Sequence, residues 1–424
     1  MRCLVALSIG FVWLSTLAGS EPIKKRSGFS IQQVSKYRPT PRSPMEDYAK
    51  AVLRSDRSNH IKEMKSAPRI ISTPLDVKYE RSTNRTVSAV PEQFDIEYLS
   101  PVNVAGKTLN LVLDTGSADL WVFSSQQPLA ERSAHDYYTP PHGTLPLNGC
   151  SWEAQYGEGS VAKGNVYVDK VSIVTWFRRC NPSKPPRELA KRLLWILILM
   201  VLLDSLFLLL IRVVRPEKQV GFFDNVKDTL PEPLFAVSLK KSKPGTFDFG
   251  FIDNDKYDGN IKYTPVHKGG FWSITSTGYV IGNSGSNNTP IKGLLDTGTT
   301  MVLLPEPIVH DYHSKIPGST KASSQLNPFL NGWIFPCNAT IQSFSLIVEN
   351  DYRATIPPEH IILQPFYVSG GSPMCFGSIQ VAIHEIVFGD IFFKSQYVVF
   401  DTAGPRVGFA RQRQQKLGNE VVTG

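Results

Sequence analysis

Two carboxylates sit in closely matched settings along this chain, Asp114 in LVLDTGSADLW and Asp296 in GLLDTGTTMVL. In each, an apolar run leads into Asp-Thr-Gly and a hydroxyl residue follows, Ser117 in one copy and Thr299 in the other. A single Asp-Thr-Gly says little, because Asp and Gly are ordinary turn residues. Two copies 182 residues apart, with matching flanks, point to a duplicated domain that supplies one carboxylate from each half. Two carboxyl groups held a hydrogen bond apart cannot both ionise, so the pair shares a proton. Such a pair can hold a water between its members, the ionised one as general base and the protonated one as general acid. Ser117 and Thr299 are expected to orient the outer carboxylate oxygens. Gly116 and Gly298 let substrate and the partner loop come close. Thr115 and Thr297 are expected to cross-brace the two loops. This chemistry calls for no metal and no cofactor.

The elements that must position these residues read as strands. From Phe94 onward, short β-branched and aromatic runs alternate with Gly, Pro, Asn and Asp clusters, as in NVYVDKVSIV, YVIG and SQYVVFD. That pattern predicts an all-β architecture. A short helix is expected in FFDNVKDTL.

Several further segments agree in order and spacing: PEQFDIEYLSPV, YGEGS, FFDNVKDTLPEPLFAVSL, FDFGFID, YTPV, WIFPC and VFGDIFFKSQYVVFD. Together with both Asp-Thr-Gly motifs they resemble the pepsin-like aspartic proteinases, most closely the fungal penicillopepsin and aspergillopepsin type. The resemblance runs from about Pro91 to Ala410. It implies an all-β, bilobal, pepsin-like acid protease fold with the active site in the cleft between two related β lobes. The N-terminal lobe would occupy residues 89–265 and the C-terminal lobe residues 266–424. Asp114 and Asp296 would be the catalytic pair, and a second short helix, over Pro307 to Ile316, would follow the Asp296 loop. Tyr156, Gly157 and Glu158 would belong to a flap that closes over bound peptide, with Tyr156 touching Trp121. Glu158 stands where these relatives usually have Asp, which bears on fine specificity and not on the reaction. Gly389 would support the Asp296 loop from beneath, and Cys337 and Cys375 fall where the family has its second-lobe disulfide.

Composition adds the compartment. Met1 to Ser20 combines one basic residue, the apolar stretch CLVALSIGFVWLSTLA and a small-residue end, which reads as a signal peptide at residues 1–20. Residues 21–88 read as a basic prosegment. Residues 21–90 carry 15 Lys and Arg against 7 Asp and Glu, a net +8, which leaves about −1 on residues 91–424. In the resembled family this segment lies over an acidic cleft, and acid weakens the attraction by protonating cleft carboxylates. Lys24-Lys25-Arg26 offers a dibasic processing site. The basic charge lacks interleaved aromatics, so nucleic acid is not an expected partner. The expected partners are protein and peptide substrates and the chain's own prosegment as intramolecular inhibitor, in a secreted, extracellular monomer. Triplets of Asn-x-Ser/Thr type occur at Asn84, Asn287 and Asn338. Cys3 leaves with the signal peptide, and Cys150 has no partner beyond Cys180, which lies in the segment described next.

Residues 193–211, LLWILILMVLLDSLFLLLI, interrupt this pattern with an apolar run long enough to cross a bilayer. A span here would split the first lobe. The genetic code suggests another reading. In the frame made of each codon's last base and the next two bases, Trp195 with Ile196 forces Asp and Met200 with Val201 forces Gly. Neighbouring codons permit the rest of the family's Asp-Gly-Leu-x-Gly-Leu-Ala-Phe-Ser, and upstream a Gln-Ser-Val-Glu. Residues 174–211 are therefore expected to be out-of-frame sequence, opened near Val174 and closed near Arg212. The alternative is a catalytically inactive pepsin-like binding protein, or a membrane-anchored relative, because this segment disrupts the first lobe. The transcript across the codons for Ser172 to Gln219 is expected to read Gln-x-Val-Glu and Asp-Gly-Leu-x-Gly; confirmation of the printed frame throughout would overturn the frame-shift reading.

Overall fold

The computed structural model describes residues 97–117, 120–132, 135–155, 161–173, 221–268, 271–322, 332–366, 373–383 and 385–413. Four short strands, Phe29–Gln32, Thr86–Val87, Ile196–Ile198 and Val214–Arg215, are described as well. The expected signal peptide, most of the prosegment and most of residues 174–211 lie outside the described residues. Within that last stretch Ile196–Ile198 forms a strand, antiparallel to Tyr167–Asp169.

The chain is all-β. Its largest sheet has seven strands and takes them from both halves: Tyr257–Pro265, Arg406–Gln412, Gln396–Asp401, Leu234–Lys240, Lys243–Phe249, Phe29–Gln32 and Thr86–Val87, in that order. The join between halves is antiparallel, with Leu234 opposite Asp401 and Val237 opposite Val398. Both joining strands are buried along almost their whole length, so LFAVSL and QYVVF are apolar on both faces and do not alternate. One face carries a stacked aromatic layer. Phe235 lies 4.6 Å from Phe400 and Trp272 5.0 Å from Phe400, centroid to centroid. Aromatic contacts of this kind contribute about 1 kcal/mol each beyond the area they bury. Trp272 then reaches the second Asp loop, since its carbonyl accepts the N–H of Leu295 at 3.0 Å.

Each half presents its Asp at the end of a strand. In the first half, Leu99–Val104 and Lys107–Val112 form a hairpin that leads into buried Leu113 and then Asp114. In the second, Ile291–Leu295 leads into Asp296. Val387–Phe388 lies between the strand before the Asp296 loop and the strand after it, parallel to Ile291–Leu295 and antiparallel to Val302–Leu304. The expected helices are present, at Glu306–Ser314 and at Phe222–Val226 with a tighter turn over Lys227–Thr229.

Two histidines, His313 buried and His360 half-buried, make the fold acid-sensitive. Burial pushes His313 down to about 4, against the hydrogen bond from its ring to the Ile379 carbonyl. Burial also pushes His360 down to about 4, helped by the charges of Lys394, Lys241 and Lys240. Both folded values lie below the unfolded one, so the unfolded chain binds more protons between them. The stability these residues confer is complete above about pH 6.5 and is lost as pH falls toward 4. Each contributes at most about 3 kcal/mol to that loss. The Tm of His313→Gln and of His360→Gln, followed from pH 7 to pH 4, is expected to fall less steeply than that of the parent; identical slopes would refute the assignment.

Candidate active site

The two Asp-Thr-Gly loops meet. Thr115 N–H donates to Thr297 Oγ1 at 3.0 Å and Thr297 N–H donates to Thr115 Oγ1 at 3.0 Å. Each hydroxyl in turn donates to the carbonyl before the other loop's Asp, Thr115 to Leu295 O at 2.8 Å and Thr297 to Leu113 O at 2.6 Å. All four bonds are buried and join residues about 182 positions apart in sequence. The sequence repeat has become a near-twofold device: each loop satisfies the polar groups the other would otherwise bury unpaired.

The same symmetry runs through the carboxylates. Asp114 Oδ1 accepts the N–H of Gly116 at 2.7 Å, and Asp296 Oδ1 accepts that of Gly298 at 2.8 Å. The outer oxygens take the hydroxyls, Ser117 Oγ–H on Asp114 Oδ2 and Thr299 Oγ1–H on Asp296 Oδ2, the latter at 2.7 Å. Both acids are nearly closed off, 5% and 8% exposed. Their mutual approach is visible at the glycines. A Cβ on Gly116 would stand 2.5 Å from the Asp296 carboxylate carbon, and one on Gly298 would overlap the Asp114 carboxylate. Each carboxylate is therefore seated against the backbone of the opposite loop, where only a glycine leaves room. Two acids so placed, each with its inner and outer oxygens already oriented, can share one proton and face one water.

The second loop has further support. Asp296 N–H donates to Phe388 O at 3.1 Å, Gly389 N–H to Met301 O at 3.1 Å and Asp390 N–H to Thr299 O at 2.7 Å. A Cβ on Gly389 would overlap the carbonyls of Thr299 and Met301. Gly389 thus passes directly under the loop, where the family resemblance placed it.

Tyr156, Gly157 and Glu158 lie outside the described residues. The strands that flank them, Ser151–Gln155 and Val161–Asn165, form an antiparallel hairpin whose last pair is Gln155 with Val161. Trp121 stacks on Trp152 of that hairpin, with centroids 6.0 Å apart, and meets Phe123 edge-on at 5.5 Å. Trp152 was not singled out from the sequence; its place two residues after Cys150 and four before the expected flap tyrosine was the available signal. Cys337 and Cys375 form a disulfide, and Cys150 is a free thiol. Among the described residues no three His, Cys, Asp or Glu side chains gather as metal ligands.

Comparison with known proteins agrees with this geometry. The family described as eukaryotic aspartyl protease matches residues 97–412. Penicillopepsin-3 of Penicillium janthinellum is 38% identical over 415 residues, covering 96% of this chain and 98% of that protein. Aspergillopepsin-1 of Aspergillus fumigatus is 40% identical over 405 residues, covering 95% and 97%. Aspergillopepsin-1 of Aspergillus oryzae is 39% identical over 416 residues, covering 96% and 98%.

Thr297→Val is expected to strand the Leu113 carbonyl and the Thr115 N–H and to lower stability by about 3 kcal/mol. Gly298→Ala forces the Asp114 carboxylate aside, and a displacement of this size is expected to cut kcat/KM on the order of 10²-fold. Gly404→Ala, where an added Cβ meets nothing within 4 Å, serves as the control and should leave both quantities unchanged. Thermal melts and peptidase assays on the three variants check all of this.

Proposed function

The chain belongs to the eukaryotic aspartyl protease family and is an aspartic endopeptidase; from that premise we propose that Asp114 and Asp296 carry its reaction, in a secreted, acid-active enzyme made as a zymogen. The observation that carries the proposal is the seating of each carboxylate against the other loop's glycine. Sharing of one proton by such a pair is established behaviour of aspartic proteases as a class and is not deduced from this chain. The ionised member takes a proton from the water between them, and the oxygen so activated attacks the scissile carbonyl carbon. The protonated member donates to the carbonyl oxygen. The tetrahedral intermediate then collapses with proton transfer to the leaving nitrogen, and no bond to the enzyme forms at any stage. The pair titrates as a unit, so neither Asp is the acid in its own right. Ser117 and Thr299 keep the outer oxygens oriented while protonation alternates between the two sides.

The substrate is an extended polypeptide with apolar side chains beside the cleaved bond. A cleft between β lobes binds extended chains through their main-chain groups and distinguishes them through side-chain pockets. The aromatic wall of Trp121, Trp152 and Phe123 supports an apolar preference.

Two observations support the zymogen reading. The segment before the lobes carries nearly all of the net positive charge. Its strand Phe29–Gln32 also pairs antiparallel with Lys243–Phe249, on the sheet that joins the lobes, so this segment is tied into the fold by main-chain bonds. An enzyme inhibited by such a strap is released when acid weakens the charge attraction and the strap is cut. The leader at residues 1–20 supports export, and no helix among the described residues is long and apolar enough to cross a membrane. The released enzyme acts as a monomer, since both carboxylates come from one chain.

Asp114→Asn and Asp296→Asn are each expected to lower kcat/KM on the order of 10³-fold or more, with little change in Tm. Retention of parent activity by either variant would refute the assignment.

A further inference from the structure

We propose that Asn338 carries an N-linked oligosaccharide, and that Asn287, which has the same triplet, does not. The proposal rests on the reading of the chain as exported, since the transferase works on chains entering the secretory route.

The two triplets differ in what their polar atoms are already doing. Asn338 lies in a tight turn that closes the strand Trp333–Pro336, with Ala339 N–H on Pro336 O at 2.9 Å. Both sides of the turn are anchored. Cys337 is bonded to Cys375, and its N–H donates to Pro373 O at 3.1 Å. Asn338 and Thr340 are themselves exposed, and neither side chain makes a hydrogen bond to any described residue. A sugar added at this amide as the chain enters the secretory route therefore stays in solvent once the chain has folded. A bulky polar group attached here displaces no contact and buries nothing.

Asn287 is exposed as well, but its side-chain amide is engaged at both Nδ2 and Oδ1. Its Nδ2 donates to the hydroxyl of Tyr279 at 2.8 Å, and that hydroxyl donates to Asp311 Oδ2 at 3.1 Å. Its Oδ1 accepts both the N–H of Thr289, at 3.0 Å, and the Thr289 hydroxyl, at 2.7 Å. Its backbone exchanges two bonds with Tyr279, at 2.9 and 2.8 Å. Tyr279 is only 4% exposed, so Nδ2 is held against a buried ring. An oligosaccharide on that nitrogen takes one of its two N–H groups and must find room beside the strand Gly278–Ile281, where even a Cβ on Gly278 would overlap Asn287 O.

The reaction joins Nδ2 of Asn338 to the anomeric carbon of a lipid-pyrophosphate-linked oligosaccharide. The carbon–oxygen bond to the pyrophosphate breaks and its electron pair leaves with the lipid pyrophosphate. The amide proton goes to a base of the transferase. The product amide keeps one N–H.

The experiment uses the full chain in a secreting fungal host, once behind its own leader and once behind a host leader that forces entry to the secretory route. Peptide mapping by mass spectrometry with and without an endoglycosidase reads occupancy at each Asn. Glycan on the Asn338 peptide, abolished by Asn338→Gln and by Thr340→Ala, with the Asn287 peptide unmodified and kcat/KM unchanged in Thr340→Ala, is the expected result. An unmodified Asn338 in the host-leader protein, or a glycan at Asn287 there, would overturn the proposal. Retention of the native-leader chain inside the cell, beside a glycosylated host-leader chain, would refute the export reading alone and leave the site standing.

Discussion

Two threonine hydroxyls hold the halves of this enzyme in register. Thr115 and Thr297 each accept the other's N–H and each donate to a carbonyl across the divide, so four buried polar groups are satisfied only when both loops are present. The net gain from such bonds is about 1 kcal/mol apiece, but leaving a buried partner unmatched costs about 1–3 kcal/mol. The asymmetry matters more than the sum. No sliding of one loop past the other keeps the set intact, so the brace fixes a geometry as much as it adds stability. The spacing of the two carboxylates follows from it, because each is seated within hydrogen-bonding reach of its own loop and in contact with the other loop's glycine.

The rest of the fold delivers those loops without slack. Asp296 is held from three sides: by the brace, by the strand Val387–Phe388 that lies between the strands entering and leaving the loop, and by Gly389 beneath it. Trp272 links the loop to the aromatic layer under the seven-stranded sheet, where Phe400 and Phe235 stack across the join between halves. A shift of one half would have to break aromatic packing and strand pairing together with the brace. That coupling explains why a reaction that needs two acids from distant parts of a chain can be run by a fold with no covalent link between its loops.

The loops were legible in the sequence because their motif occurs twice. LVLDTGSADLW and GLLDTGTTMVL share spacing, and a Thr or Ser after Asp-Thr-Gly has few structural reasons to recur. The strands of SQYVVFD and NVYVDKVSIV were legible from local pattern, and the short helix at Glu306–Ser314 from the resemblance to the family. Pairing was not. Leu234–Lys240 and Gln396–Asp401 are buried on both faces, so their apolar runs carry no alternation to say which face packs on what. That Val387–Phe388 runs parallel to one neighbour and antiparallel to the other depends on contacts about 90 residues apart, which no window of sequence records. Trp152 was missed for a related reason: its stacking on Trp121 is a cross-strand fact, and a lone Trp in a strand reads as core.

The proposed acid-active role would set a second condition on this architecture, since the fold would have to survive where its carboxylate pair works. His313 is buried and His360 half-buried, and both are held neutral, which opposes acid. Their hydrogen bonds temper the cost. His313 Nε2–H donates to Ile379 O at 3.0 Å while Nδ1 meets Ser319 Oγ at 2.8 Å, and that hydroxyl also lies 3.2 Å from Ile334 O. His360 Nδ1 meets Ser395 Oγ at 2.8 Å, and that hydroxyl lies 3.2 Å from Ile391 O. In each case the serine can donate to nitrogen when the ring is neutral, or turn to its carbonyl and accept when the ring gains a proton. Protonation therefore orphans no hydrogen bond at these contacts, and the remaining penalty is desolvation of the charge, increased at His360 by the lysines around it. The His313 ring lies 4.7 Å from that of Trp333 in a stacked pair, a contact that favours the cation. Both imidazoles are pushed down to about 4, so the two set a similar limit on how acid the medium can become, and neither sits in an Asp loop.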